Sequence, residues 1–249
     1  MAWPALARKL SPAEFKDYVN GLSWSNGFYP EFIVVHNTAS PSLAQRPDGL
    51  TLHHIKNLEG YYKGKGWRGG PHLFNDDHGI WLFNDLRLRG THSPSWNGNA
   101  IGIEMLGDFD REEFTSGRGA LVRANTVQAM AALNNRLGWN ADNFRFHIED
   151  KKSDHACPGK KARADREQFT ADIEIAMKMV GDPTFHSSVT AQDDLNVRAR
   201  PGGSVVGGVD KGTRLSVLGE AEGGFIPVEF KDAETKQKGT GWVDARYVA

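Results

Sequence analysis

Two hydrophobic patterns, helical and strand-like, share the first 180 residues, and only the strand-like one resumes beyond them. Around "SPAEFKDYV", Ser11 stands as an N-cap, Pro12 takes the first helical position and Glu14 follows three after the cap, which predicts a short helix. "EFIVVHNTAS" then carries a continuous β-branched run, Phe32 to Val35, that reads as a buried strand ending at His36. After Asp48-Gly49, Leu52, Ile55, Leu58 and Tyr62 recur at three- and four-residue spacings and predict a helix closed by the glycine-rich "GKGWRGG". "PHLFNDD" and "GIWLFND" form a hairpin pattern across Asp77-His78-Gly79, and "AIGIEMLGDF" is a further buried strand. "RANTVQAMAALNNRLGW" predicts a helix stopped by Gly138, "FRFH" a short strand, and "ADREQFTADIEIAMKMV" a closing helix.

From Gly181 to Asp194 the chain turns polar and loses period, so it reads as a linker. Beyond it, short strand-like runs alternate with glycine turns, the pattern of a small β-barrel. The expected organisation is a domain over 1–180, a linker over 181–194 and a small module over 195–249. The fold class is α/β, with a mixed central sheet flanked by helices, plus a small all-β barrel.

Composition narrows the function. A formal net charge of −1 over 249 residues, with no basic segment, argues against nucleic acid as partner. The C-terminal module is balanced as well, eight Lys and Arg against nine Asp and Glu over 190–249. No apolar stretch approaches the roughly 20 residues of a membrane span, so insertion is not expected. The first twenty residues are broken by Arg8, Lys9, Glu14 and Lys16 and do not read as a secretory signal, which implies synthesis in the cytoplasm.

One stretch carries chemistry. "HIEDKKSDHACPGK" holds the single cysteine, Cys157, which cannot form an internal disulfide, together with His147 and His155. Imidazole and thiolate are preferred zinc ligands, and a catalytic zinc keeps three protein ligands and one position for water. His147 and Cys157 are candidates, and His36, at a strand end, is the best placed third. Glu104 is the one charge within "AIGIEML", and a carboxylate in a buried strand needs a partner or a role.

In order along the chain, "FIVVHNTAS", "GWRGGPHLFNDDHGIWLF", "GTHSPSWNGNAIGIEMLGDF" and "FRFHIEDKKSDHACPGKK" resemble the type-2 N-acetylmuramoyl-L-alanine amidases, which include phage endolysins and are related to peptidoglycan recognition proteins. The resemblance spans residues 31 to about 165. It implies one catalytic Zn²⁺ held by His36, His147 and Cys157, with Glu104 as the acid near the metal. It implies a role for His155 in stabilising the oxyanion, at a position where relatives commonly carry lysine. Pro71 departs from the family too, standing where many relatives have tyrosine. His72 reads as structural, His92 as a wall of the cleft, and His53 and His54 as surface or packing residues.

"LNVRARPGGSVVGGVDKGTRLSVLG" and "GTGWVDARYVA" are similar to bacterial SH3-like domains, with Trp242 and Phe225 either ligand-facing or core. The implied function is an endolysin-like peptidoglycan amidase, a monomer that acts on the cell wall after release. The rivals are a non-catalytic peptidoglycan receptor of the same fold and a zinc peptidase of the stem peptide.

Overall fold

The computed structural model describes residues 5–24, 27–181, 188–218 and 221–248. In its N-terminal part the strands are β1 (Ala5–Leu10), β2 (Phe32–Asn37), β3 (Leu73–Asp76), β4 (Gly79–Asn84), β5 (Ala100–Met105) and β6 (Phe144–Phe146). The helices are α1 (Pro12–Asn20), α2 (Leu52–Gly64), α3 (Gly117–Leu137), α4 (Lys160–Ala164) and α5 (Arg166–Gly181). The strands form one sheet in the order β1-β4-β3-β5-β2-β6. β2 runs parallel to β5 and β6, and β3 parallel to β5, whereas β4 is antiparallel to both its neighbours. This is the mixed sheet expected.

Local sequence explains most of the boundaries. Ser11 and Glu14 close a reciprocal capping box on α1, as their spacing predicts. Asp76 pairs with Gly79 across the expected β3–β4 hairpin. Three features differ from the sequence reading. α3 begins at Gly117, ahead of the predicted "RANTV", because Gly117 and Gly119, both poor helix formers, disguise its first turns. A short α4 precedes α5. β1 was not anticipated, since it has no alternation of its own and owes its strand form to pairing with β4.

The two faces of the sheet are covered differently. Ile33, Val35, Leu73, Leu82, Ile101 and Ile103 join Val122, Met130 and Leu133 of α3 in the main core. On the other face Phe32, Val34 and Ala100 form a small separate cluster with Trp96, which lies in the loop before β5. Side chains alternate along a strand, and residues paired across neighbouring strands share a face. His36 therefore lies with Val34 on this second face, covered by loops here and by α2 toward β4, beside Glu104, its partner in the β2–β5 register.

The C-terminal part is a second six-stranded sheet, order β7-β10-β11-β12-β8-β9, antiparallel throughout. Its strands are β7 (Ser188–Thr190), β8 (Leu195–Arg198), β9 (Val205–Val209), β10 (Arg214–Val217), β11 (Phe225–Lys231) and β12 (Lys238–Asp244). β7 lies inside the stretch expected to be linker and pairs with β10, while residues 182–187 of that stretch fall outside the described residues. Trp242 is only 4% exposed and belongs to the interior, whereas Phe225 is half-buried. The two parts touch through α1 with β12 and α3 with β9. They are also joined through Arg123 of α3, which bonds Asp165 and Asp172 at 2.6 Å each, and Arg200, which reaches Asp172 at 3.3 Å. A cleft of about 650 Å³ between them, lined by Arg118, Gln128, Phe230 and Lys238 among others, contains none of the candidate ligands.

Candidate metal centre

The chain brings three distant donors to the end of β2. His36 is the penultimate residue of that strand, His147 opens a 3-10 turn directly after β6, the strand beside β2, and Cys157 follows in the next loop. That loop is folded back on itself by Ile148 N–H donating to Cys157 O at 3.0 Å, which sets the imidazole and the thiol side by side. One donor atom from each of His36, His147 and Cys157 lies within 4.8 Å of the other two. His36 and His147 rings stand 4.4 Å apart, and Asn37 N–H donates to Cys157 Sγ at 3.1 Å, a contact that suits a sulfur carrying negative charge.

Asp150 locks the surrounding loops. Its carboxylate accepts from Ser93 Oγ at 2.6 Å, Ser95 N–H at 2.9 Å and Lys152 N–H at 3.0 Å. Burial pushes this acid up, but those hydrogen bonds outweigh it and hold the carboxyl well below the usual range. The loop before β5 is thereby tied to the loop that carries His147.

The electrostatics of the trio are those of a pocket short of one positive charge. His36 and His147 are 3% and 7% exposed, and burial together with the neighbouring histidines drives both imidazoles toward the neutral form. Burial, followed by the charge of Glu104, pushes the Cys157 thiol well above its ordinary value. Burial lifts Glu104 to about 8, and its carboxyl has no hydrogen bond among the described residues. His147 Nε2 is likewise buried without a partner. A divalent cation satisfies all of these at once, since neutral imidazoles and a thiolate are what it requires of its ligands. Two nitrogens and one sulfur fit zinc, with one position left open.

The predicted residues are thus all local to one site, but unequally placed. Glu104 lies beside His36 in register. His155 is exposed, its ring stacked on His147 with centroids 5.2 Å apart, so it covers the site from the solvent side. His72 is structural as read: Gly102 N–H donates to its Nδ1 at 3.0 Å, and its Nε2 donates to Leu88 O at 2.9 Å. His54 belongs to the start of α2, where it pairs with Thr51.

Two residues have more to do than their sequence context suggested. His92 touches His36 directly, Nδ1 to Nε2 at 3.1 Å, and burial lowers its pKa to about 3. Tyr62, which the helical spacing marks only as packing, lies on the Glu104 face, edge-on to Phe83 and stacked on Trp67. Burial and then the Glu104 charge raise its phenol. Gly70 admits that ring, because a Cβ there would meet Tyr62 Cε2 at 2.8 Å. The signal for Tyr62 is the glycine pair before Pro71, which leaves room for a ring from elsewhere.

A mixed α/β sheet with a His-His-Cys cluster at its parallel strand ends, and an acid beside it, defines a class of candidate metal hydrolase. Residues 26–160, more than half of the chain, match the family described as N-acetylmuramoyl-L-alanine amidase, and the chain belongs to that family. Residues 193–249 match the bacterial SH3 domain. Peptidoglycan-recognition protein SC2 of Drosophila simulans is 28% identical over 91 residues, 35% of this chain and 48% of that protein. The chain therefore matches about half the length of that curated relative. Among solved structures, the N-acetylmuramoyl-L-alanine amidase LysC of Clostridium intestinale URNW is 22% identical, with a TM-score of 0.48, covering 60% of this chain and 88% of its own. Drosophila PGRP-LB is 16% identical, with a TM-score of 0.48, covering 63% and 90%.

Proposed function

We propose that the protein is a zinc-dependent peptidoglycan amidase that hydrolyses the amide between the lactyl group of N-acetylmuramic acid and L-alanine of the stem peptide. The observation that carries this reading is the convergence of His36, His147 and Cys157 donor atoms within 4.8 Å, beside Glu104, whose carboxyl has no partner among the described residues. His36, His147 and Cys157 would hold the zinc, which would supply Lewis acidity and a more acidic water near neutral pH. Glu104 takes the proton of the attacking water and returns it to the leaving amine, acting as base and then as acid. Glu104, held in its acid form by burial, would ionise more readily beside a bound cation and so serve as the base. His155, stacked over His147 on the solvent side, faces the developing oxyanion when protonated. The SH3-like module holds the enzyme on the wall and raises the local substrate concentration by tethering.

The test is digestion of purified peptidoglycan, with the new ends identified by mass spectrometry. Free L-alanine amino termini with intact muramic acid support the reading. Cleavage within the stem peptide replaces it with a peptidase. No release from a protein that carries zinc replaces it with a receptor.

A further inference from the structure

His92 and its neighbours form a chain of hydrogen bonds that ends on a candidate ligand. His92 Nε2 lies 3.2 Å from Ala100 O, and a carbonyl can only accept, so Nε2 carries the ring proton. The neutral ring then has Nδ1 as a bare acceptor, and Nδ1 is the atom that faces His36 Nε2 at 3.1 Å. His36 Nε2 must therefore hold the His36 proton, which leaves Nδ1 of His36 with its lone pair free. We infer that His92 is a positioning residue that fixes the tautomer and ring angle of His36, so that His36 presents Nδ1 to the metal.

The fold goes to some length to hold the His92 ring. A Cβ on Gly102 would meet His92 Cγ at 2.5 Å and Nδ1 at 2.8 Å, so only glycine at that point of β5 lets the ring lie flat against the strand. Asn97 Oδ1 accepts from both His92 N–H at 2.7 Å and Ser93 N–H at 2.8 Å, pinning the backbone on either side of the ring's anchor. The His92 ring stands edge-on to His36, with centroids 5.2 Å apart. Metal-bound histidines commonly take such a partner as a carboxylate or a carbonyl. Here a second imidazole stands between the ligand and the carbonyl.

This inference rests on the zinc reading above, and two measurements separate their failures. Zinc affinity by chelator competition is expected to fall 10- to 100-fold in His92→Phe, the usual scale for losing such a partner. It should stay within a few-fold of the parent in His92→Asn, whose Oδ1 restores an acceptor near the Nδ1 position. In the zinc-free parent, ¹⁵N NMR of the histidine rings is expected to show His36 protonated at Nε2. A parent that binds no zinc overturns the zinc reading and this inference with it. A parent that binds zinc while His92→Phe binds it equally well overturns the inference alone, as does His36 protonated at Nδ1. The tautomer measurement needs no variant, so it decides the matter even if His92→Phe does not fold.

Discussion

The two faces of the first sheet are both buried, yet they treat ionisable groups differently. On the helix-covered face Asn75, Asn134 and Arg123 each keep at least one partner, although Asn75 Oδ1, Asn134 Oδ1 and Arg123 Nη2 have none among the described residues. Asn75 donates to Thr126 at 3.1 Å, Asn134 to Asn140 O at 3.0 Å, and Arg123 bonds two aspartates while stacking on Phe114 and Phe169. On the loop-covered face His147 Nε2 and the Glu104 carboxyl have no partner among the described residues, and burial pushes both groups toward neutrality. Burial alone does not separate a core from a site. An ionisable side chain with no partner at all does, because a fold keeps a desolvated, unpaired acid only where something else satisfies it.

The largest effect is expected on the loop-covered face. Glu104→Gln is expected to lower release of wall fragments by about 10² to 10⁴ while zinc content by elemental analysis stays at the parent level. Loss of zinc together with activity would make Glu104 a ligand and not a base. On the helix-covered face, Arg123→Met leaves the half-buried Asp165 without its cation and the buried Asp172 with Arg200 alone. It should cost about 1–3 kcal/mol in urea unfolding, since Arg200 still reaches Asp172 at 3.3 Å, with zinc affinity of the folded fraction unchanged. A loss under about 1 kcal/mol would show that this face too tolerates unpaired charge.

A pH-dependent difference should follow in metal-free protein. The Glu104 carboxyl sits at about 8 when folded and near about 4.3 in an unfolded chain. Between those values the folded state binds the proton and the unfolded state releases it, so this residue's contribution to stability falls as pH rises. Glu104→Gln is neutral throughout and should gain on the parent from pH 5 to pH 8 in chelator-treated samples. An unfolding difference equal at both pH values would contradict the burial argument. The smallest effect is Thr126→Val, which leaves Asn75 short of its partner and should cost about 1–3 kcal/mol without touching metal affinity.

Much of this was legible before any coordinates. The Ser11–Glu14 box, the Asp76–Gly79 hairpin and the apolar runs of β2 and β5 are local signals, and local signals survive into the fold. His36, His147, Cys157 and Glu104 could be named because an ordered set of motifs carried them. β1 and the first turns of α3 were not legible, since pairing with β4 and packing on the sheet decide them. The partnership of His92 with His36 could not be read from spacing either. Fifty-six residues separate the two rings, and their meeting depends on a loop folding back over Gly102.

The central claim is that the unmet groups of the loop-covered face are a three-donor zinc site. X-ray absorption at the zinc edge of the loaded protein addresses it directly. The expected result is one ion per chain with one sulfur at about 2.3 Å and two imidazole nitrogens at about 2.0–2.1 Å, the sulfur shell disappearing in Cys157→Ser. A first shell without sulfur, or one unchanged in Cys157→Ser, would contradict it.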